Sequence, residues 1–435
     1  MASRDLTKLD LRRTILVTLP FMGALTFWQA YDGLIPLMLK NTFGMGDTLT
    51  GFFMALDNIL ALFLLPLVGT LSDRTRTRWG RRTPYIVVGA SVAAVLTPLI
   101  ALANRWQNLP LFLVALLAVL VALSVYRSPS VALMPDVTPR PLRSKADALN
   151  SLMAAVGGVV VLVGIAVLVP AEKNPDYVPV YLVIAGMLAL TTIAFAALFR
   201  EPAEVAAMHA ESLELGIDED AQAATDTGGK EREADPGRRR SLLGVLLAVF
   251  FWYLSNNAVT SGISRYAEVM WGMAGGAYAQ VQTVATVAAL VAYMPMASLS
   301  MHVGRKRTTY VGFALMVVGC LAIRAVGGFS PVVYVLSAVF GIGVATVSLT
   351  VYPMVMELAT ERTTGRYTGY YYTVSMAAQI VTPILSGALM QFVGYEQLYV
   401  YAAACAALGF LPLAFVRHGD TMTVEEVARR QHSGV

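Results

Sequence analysis

The stretch "DNILALFLLPLVGTLSDRTRTRWGRRTPY", from Asp57 to Tyr85, decides how this chain is interpreted. It opens with a carboxylate inside an apolar run and closes with five arginines in nine residues. A charged side chain at the centre of a bilayer costs roughly 3 kcal/mol or more, so it needs a partner, water or a function. Arginines just beyond an apolar run are typical of cytoplasmic loops. The stretch therefore predicts a membrane helix with an interior acid, followed by a cytoplasmic loop.

The composition of the whole chain agrees with a membrane protein. Of its 435 residues, 57% are hydrophobic and 14% are charged, whereas soluble domains carry about 25% charged residues. The net charge of +4 lies in short loops between apolar runs, so we expect a lipid bilayer and not a nucleic acid as partner. The two cysteines, Cys320 and Cys405, lie in apolar runs, so neither a disulfide framework nor a metal cluster is expected.

Twelve segments are long and apolar enough to cross a bilayer, which takes about 20 residues per helix. They are 13–39, 50–72, 83–103, 109–135, 147–170, 178–199, 241–263, 276–301, 308–327, 331–357, 367–392 and 396–416. The sequence thus predicts an all-α polytopic membrane protein with two six-helix halves. We expect a six-helix bundle at 1–200, a solvated cytoplasmic linker at 201–240, favoured over a regulatory module, and a second bundle with a cytoplasmic tail at 241–435.

The distribution of lysine and arginine predicts the orientation. With the even-numbered loops and both termini on one face, that face holds 26 of the 32 basic residues, and the opposite face holds four. Positive residues concentrate in cytoplasmic loops. Both termini are therefore expected in the cytoplasm, and the protein in the plasma (inner) membrane.

The two halves repeat a local pattern. "WGRRTPYIVVG" (79–89) follows the second span, and "VGRKRTTYVG" (303–312) follows the eighth, at the corresponding place in the second half. Repeated halves are characteristic of transporters that work by alternating access.

The loop after the second span resembles the Gly-x-Leu-x-Asp-Arg-x-Gly-Arg-Arg motif of major facilitator transporters. The matching residues are Gly69, Leu71, Asp73, Arg74, Gly80, Arg81 and Arg82, with extra residues between Arg74 and Gly80. This expanded form is similar to the glycoside–pentoside–hexuronide:cation symporters and the related sucrose:proton symporters. So are "LDNILALFLLPLVG", "YRSPSVALMPDVTPRPLRSKADALN" and "YPMVMELATERTTGRYTGYYYTVSMAAQIVTPILSG". The resemblance covers all twelve spans and implies the major facilitator fold.

Two interior acids, Asp32 and Asp57, are the candidates for cation coupling. At 1.5 Å per residue, Asp32 lies about 12 Å and Asp57 about 10 Å below the same membrane edge. One protonatable centre would include both, because burial disfavours the charged carboxylate. The resemblance also implies a cation-binding acid in the second helix. The alternative is that each acid only pairs with an arginine or caps broken backbone.

The candidate substrate-binding groups combine aromatic, amide and guanidinium side chains. They are Trp28, Gln29, Arg127, Tyr253, Asn256, Asn257, Tyr372 and Gln379. Arg127 suits sugar hydroxyls or a carboxylate partner, although a salt bridge between helices remains an equal alternative. Polar stripes also hold membrane helices together without touching substrate. Relatives often have an acid after "NAV" in the seventh span, where this chain has Thr260, so no acid is carried over.

The charged loops are expected to form a cytoplasmic gate. Its candidates are Asp73, Arg74, Arg81, Arg82, Asp136, Arg143, Glu357 and Arg366. We expect Asp136 to act with Arg143 and Glu357 with Arg366. Asp73 ends a helix, where the dipole disfavours an acid, so an arginine or a helix N-terminus of the other half is its expected partner.

The leading hypothesis is a monomeric secondary transporter that imports a sugar, a disaccharide or glycoside, with a proton. Sodium remains open as the coupling ion, although Asn58 points about 100° away from Asp57 around the helix and adds little to a sodium site. The alternatives are a transporter of another solute, such as a lysolipid or a drug, and a non-transporting membrane sensor. No nucleotide-binding loop or metal cluster is evident, so neither enzymatic activity nor a cofactor is expected.

Overall fold

The computed structural model describes residues 9–139, 142–214, 236–359 and 363–418. Within those residues every regular element is a helix, apart from one isolated β-bridge between Thr77 and Gly80. The helices are α1 (Leu11–Asn41), α2 (Asp47–Arg74), α3 (Thr83–Arg105), α4 (Leu109–Asp136), α5 (Arg143–Leu168), α6 (Val178–Leu198), α7 (Glu201–Glu214), α8 (Pro236–Trp271), α9 (Tyr278–Val303), α10 (Arg305–Val326), α11 (Val332–Leu358), α12 (Thr364–Phe392), α13 (Gln397–Leu408) and α14 (Phe410–Ala414). A helix satisfies its backbone hydrogen bonds internally, which is what long apolar segments in lipid require.

Eleven helical segments in the described residues are long and apolar enough to span a membrane, with α13 and α14 forming one of them. Helix α1, at the first predicted span, has 31 residues but is not one of the eleven. Its length exceeds the roughly 20 residues that a crossing needs. The all-helical membrane architecture is thus confirmed, and the count of twelve spans stays a prediction.

The chain divides into two compact units. Unit 1 comprises Met1–Gly44, Leu56–Gln222 and Gly275–Ala277, and unit 2 comprises Met45–Ala55, Ala223–Ala274 and Tyr278–Val435. The start of α2 therefore groups with unit 2, and the predicted boundaries of 1–200 and 241–435 stay a prediction.

The same helix pairing occurs in each unit. In unit 1, α1 packs on α5 and α6, while α3 packs on α4 and α6. In unit 2, α8 packs on α12 and α13, while α10 packs on α11 and α13. The helices correspond in order: α8 to α1, α10 to α3, α11 to α4, α12 to α5 and α13 to α6. The short α7 belongs to neither set. The internal repeat predicted from the sequence is therefore also a repeat of packing.

The glycines that end the two repeated sequences occupy equivalent close contacts. A Cβ at Gly89 of α3 would lie 2.6 Å from the Cβ of Tyr126 on α4. A Cβ at Gly312 of α10 would lie 2.7 Å from a methyl of Val347 on α11. Only glycine allows these helices to approach so closely, as small residues do in membrane helix pairs.

Helix α7 occupies the first part of the predicted linker and is attached to unit 1 at both ends. Its first residue, Glu201, contacts the backbone at the start of α3. Near its other end, Glu211 accepts from Arg13 Nη2 of α1 at 2.6 Å. Residues 215–235 of the predicted linker and 419–435 of the predicted tail lie outside the described residues.

Candidate functional site

The interior of unit 1 brings together charged groups from three helices. The guanidinium carbon of Arg127, on α4, lies 4.6 Å from the ring centroid of Trp28 on α1. Asp57, on α2, is 6% exposed and interacts electrostatically with Arg127. A cation over an indole face is attracted by the ring quadrupole. The aromatic ring and the carboxylate therefore both hold the arginine in place.

The second predicted acid belongs to the same group. Asp32 is half-buried, lies one helical turn after Trp28 on α1, and interacts electrostatically with Asp57. The hydroxyl of Tyr31 lies near the backbone of Asp57. We call Asp32, Asp57, Arg127 and Trp28 the interior charge cluster. Its formal charge is −1 when both acids are ionised.

Trp28 and the adjacent Gln29 have hydrogen-bonding capacity at this site. The indole nitrogen of Trp28 is buried and faces the carboxylate of Asp57. Gln29 packs on α5, where a Cβ at Gly158 would lie 3.2 Å from its Nε2. Buried donors in native proteins almost always find a partner, and here the indole N–H has the carboxylate of Asp57 beside it.

In unit 2 the predicted polar stripe lies on α8. Tyr253, Asn256 and Asn257 are all half-buried. The side-chain oxygen of Asn257 is buried and has no hydrogen-bond partner among the residues that the structure describes, while its backbone oxygen accepts from Ser261 Oγ at 2.7 Å. An amide oxygen that lacks a donor is available to a hydroxyl-bearing ligand.

Tyrosines from three helices form a contiguous cluster in unit 2. The ring of Tyr371 on α12 lies 6.5 Å from Tyr253 on α8, 5.0 Å from Tyr352 on α11 and 5.5 Å from Tyr372. Tyr372 is exposed, whereas Tyr371 is buried. The sequence analysis selected Tyr253 and Tyr372 and missed Tyr352 and Tyr371. The run "GYYYTVS" was the available signal for Tyr371.

Gln379 lies two turns beyond this tyrosine cluster on α12. Its Nε2 donates to the backbone oxygen of Ser375 at 3.2 Å. The amide is half-buried, and this bond fixes the direction of its donor end along the helix.

The loop between α2 and α3, residues 75–82, is anchored by a buried arginine. Arg82 is 6% exposed. Its Nη2 lies 2.8 Å from Asp73, its Nε 2.7 Å from Asp136, and its Nη1 2.9 Å from Ser72 Oγ. Arg81 lies 2.9 Å from the other oxygen of Asp136. Four of the predicted gate residues therefore form one network.

The pairings differ from those expected. Asp73 meets Arg82, which follows it by nine residues in unit 1, and not a group of the other half. Asp136 pairs with Arg81 and Arg82, while Arg143 donates to the backbone oxygens of Pro135 and Thr138. Asp136 thus receives one nitrogen from each of two arginines of the α2–α3 loop, one on each carboxylate oxygen.

The corresponding pair in unit 2 follows the same rule. Glu357, at the end of α11, lies 3.2 Å from Arg305 at the start of α10. This pair repeats the contact of Asp136 with Arg81, one half of the chain later. Arg366 is exposed in the first turn of α12.

Glu201 is the acid of this network that the sequence analysis missed. It is 2% exposed and accepts from the backbone nitrogens of Arg81, Arg82 and Thr83 at 2.8–3.0 Å. It also accepts from Thr83 Oγ1 at 2.8 Å. These N–H groups at the start of α3 have no partner within the helix, and the helix dipole also stabilises a carboxylate at this end. The acid directly after the sixth span was the signal, but the surrounding polar sequence indicated a solvated linker.

A second missed pair lies in unit 2. Arg265 was taken as a loop residue, yet it is part of α8, fully buried, with its Nη1 2.9 Å from Asp47. The hydroxyl of Tyr395 donates to the other carboxylate oxygen of Asp47. Burial, followed by this hydrogen bond, raises the pKa of Tyr395. Asp47 therefore serves as a common acceptor for two groups far away in the sequence.

Comparison with known families identifies what this arrangement is similar to. The family described as MFS/sugar transport protein matches residues 17–415. This match covers every helix from α2 to α14 and most of α1.

Curated relatives match over shorter segments. The lactose permease of Lactobacillus helveticus is 36% identical over 92 residues, which are 19% of this chain and 14% of the permease. The sucrose transport protein SUT1 of Oryza sativa subsp. japonica is 23% identical over 138 residues, 27% of this chain and 26% of that protein. An uncharacterized symporter, sll1374, of Synechocystis sp. is 28% identical over 144 residues, 31% of this chain and 26% of that protein. The matched segments thus span about a quarter or less of these relatives.

Solved structures match over nearly the full length. The xylose transporter XylE from E. coli, in an inward open conformation, superposes with a TM-score of 0.64 at 14% identity, covering 96% of this chain and 98% of that one. A POT family transporter in complex with 5-aminolevulinic acid gives 0.69 at 13% identity, with 92% and 95% covered. At such identities these similarities establish the major facilitator fold and nothing narrower.

Proposed function

The chain belongs to the MFS/sugar transport protein family, and from that premise we propose that it is a proton-coupled sugar symporter working by alternating access. It is an integral membrane protein with the major facilitator fold. We place it in the plasma (inner) membrane with both termini in the cytoplasm, following the distribution of basic residues. The proposed substrate is a disaccharide or glycoside.

The observation that supports coupling is the interior charge cluster. Two carboxylates and one guanidinium leave one negative charge among apolar helices when both acids are ionised. Binding one proton to Asp32 or Asp57 removes that charge, and with it the cost of holding it away from bulk water. Proton binding thereby changes which conformations of the carrier are accessible, which is what coupling requires.

Asp57 and Asp32 have different surroundings, which suggests a division of labour. Asp57 has the positive charge of Arg127 nearby, which stabilises its carboxylate form. Asp32 instead interacts with the like charge of Asp57, which disfavours a second ionised carboxylate. We propose that Asp32 takes up the proton and that Asp57 keeps Arg127 oriented within the site.

A sugar is the solute class that suits the polar groups of each unit taken by itself. The buried indole N–H of Trp28 is a donor that faces Asp57, and the buried oxygen of Asn257 is an acceptor without a donor among the described residues. A hydroxyl group satisfies either one, because it both donates and accepts. Arg127 adds a fixed fork of donors, and tyrosine rings offer flat apolar faces for a sugar ring.

We propose that the charged loops form the cytoplasmic gate. Asp73, Arg81, Arg82 and Asp136 hold the start of α3 to the ends of α2 and α4. Glu357 with Arg305 does the same for α10 and α11. Arg74, Arg143 and Arg366 remain candidate members of this gate.

The test is a flux assay on the purified protein in liposomes. Labelled mono- and disaccharides are offered under an imposed pH gradient or an imposed sodium gradient, with protein-free liposomes as the control. We expect accumulation of a disaccharide or glycoside with the pH gradient and alkalinisation of the external medium. Accumulation with sodium alone would contradict proton coupling. Flux of lysolipids or drugs without sugar flux would contradict the substrate class, and sugar binding without any flux would favour a sensor.

A further inference from the structure

The loop between α2 and α3 carries positive charges that lie outside the ion-pair network of Asp73, Arg81, Arg82 and Asp136. Arg74, Arg76 and Arg78 are exposed and form no ion pair with any residue that the structure describes. The acids around the loop are engaged elsewhere: Asp73 and Asp136 by Arg81 and Arg82, and Glu201 by backbone N–H groups. Within the described part of the chain, these three cations therefore have no counter-charge.

The conformation of this loop is fixed. Thr77 Oγ1 donates to the backbone oxygen of Gly80 at 2.6 Å, and the backbone nitrogen of Trp79 donates to Thr77 Oγ1 at 3.2 Å. Gly80 has φ +109, and a Cβ there would lie 2.2 Å from a carboxylate oxygen of Glu201. The loop is thus closed by a tight turn at its tip and locked against α7 at its base. A charged surface held this rigidly loses little conformational entropy when it binds a ligand.

The tip combines its arginines with an exposed aromatic residue at the edge of the membrane. Trp79 is 53% exposed, and the guanidinium of Arg78 lies 5.7 Å from its ring centroid. The loop joins the candidate spans Asp47–Arg74 and Thr83–Arg105, so it lies at the membrane surface. Tryptophan concentrates at the level of lipid headgroups, where its apolar body and its N–H are both satisfied.

We propose that the tip of this loop, through Arg76, Arg78 and Trp79, binds the headgroups of anionic phospholipids in the adjacent leaflet. The arginines supply charge-assisted hydrogen bonds to phosphate oxygens, and Trp79 inserts at the headgroup level. Basic residues beside a membrane span attract anionic lipids in proportion to their number. The site does not depend on the transported solute or on the coupling ion.

The experiment measures lipid selectivity of the full chain. The protein is reconstituted in phosphatidylcholine bilayers with spin-labelled phosphatidylglycerol or spin-labelled phosphatidylcholine, and the motionally restricted fraction of each label is compared. We expect wild-type protein to prefer phosphatidylglycerol and the double variant R76Q/R78Q to lose at least about twofold of that preference at low salt. One arginine raises the occupancy of its own site by anionic lipid roughly fivefold. The expected loss is smaller because the measured preference is an average over all lipids in contact with the protein.

The control is Arg307→Gln, which removes an exposed arginine from the first turn of α10, where no tryptophan is adjacent in the sequence. It should lower the preference by less than R76Q/R78Q does. An equal fall in this variant, or an unchanged preference in R76Q/R78Q, would overturn the proposal. If R76Q/R78Q does not fold, the salt dependence of the wild-type lipid preference is the test. An electrostatic preference must weaken steeply between about 50 and 500 mM salt, because the Debye length falls from about 14 to 4 Å over that range. A salt-independent preference would refute headgroup binding.

Discussion

Removing the carboxylate of Asp47 should destabilise unit 2 strongly, because it leaves a buried charge without its partner. Arg265 is fully buried. It donates from Nη1 to Asp47 and from Nη2 to the backbone oxygen of Ser261 at 3.2 Å, while its buried Nε meets no acceptor in the described ranges. In Asp47→Asn the guanidinium keeps neutral acceptors only, and the hydroxyl of Tyr395 loses its charged acceptor.

The magnitude follows from the burial of both partners. Breaking a buried ion pair by removing one member costs roughly 3–5 kcal/mol. The matched control is Glu396→Gln, because Glu396 also pairs with an arginine, Arg324, at 3.2 Å, but with side chains 46% and 37% exposed. An exposed pair contributes about 0–1 kcal/mol. The two substitutions should therefore differ by at least about 2 kcal/mol in the free energy of unfolding.

The assay is equilibrium unfolding of purified protein in detergent, followed by tryptophan fluorescence and repeated as a thermal melt. A double-mutant cycle adds Arg265→Met and the double variant D47N/R265M. Since the double variant contains neither buried charge, it should recover much of the stability lost in Asp47→Asn. Equal stability of Asp47→Asn and Glu396→Gln, or strictly additive losses in the double variant, would refute the assignment of Arg265 and Asp47 as a buried pair.

Three further predictions concern the proposed transport site and its support. Asp57→Asn should abolish accumulation driven by a pH gradient and leave exchange of solute detectable, and wild-type accumulation would remove Asp57 from the mechanism. Glu201→Gln should lower the free energy of unfolding by roughly 1–3 kcal/mol through lost charged hydrogen bonds to α3; Glu204→Gln, which loses no hydrogen bond among the described residues, is the control, and equal effects would contradict the cap. Tyr371→Ala should cost roughly 3 kcal/mol, as large-to-small changes of buried aromatic rings do, whereas Tyr371→Phe should stay within about 1 kcal/mol because it keeps the ring contacts. A comparable loss in both Tyr371 variants would place the effect in the hydroxyl.

The architecture could be predicted because its signals are local and repeated. Apolar runs of membrane-spanning length predict helices regardless of their partners, and the two arginine-rich repeats predict that the second half copies the first. The proximity of Asp32, Asp57 and Arg127 could also be expected from the sequence, because charged residues inside a membrane protein usually pair with one another.

The specific pairings were not accessible, because they depend on which side chains the fold brings together. Asp47 and Arg265 lie 218 residues apart. Nothing in their local sequences indicates that these two residues, among many other charged ones, form a pair. Glu201 lies at the start of a polar segment whose composition favours a solvated chain, and only the packed α7 shows that its carboxylate is buried. Asp136 and Arg143 are close in sequence, but Arg82 approaches the same carboxylate more directly through the fold.

Helix α7 has a mechanical consequence for unit 1. Glu201 holds one end of it to the start of α3, and Glu211, ten residues later, holds the other to Arg13 of α1. Ten helical residues measure about 15 Å, so α7 acts as a rigid spacer between the origins of two helices. If either helix moves at this end, the other must therefore move with it. A cross-link that joins only the start of α1 to the start of α3 should leave the turnover rate of the protein unchanged.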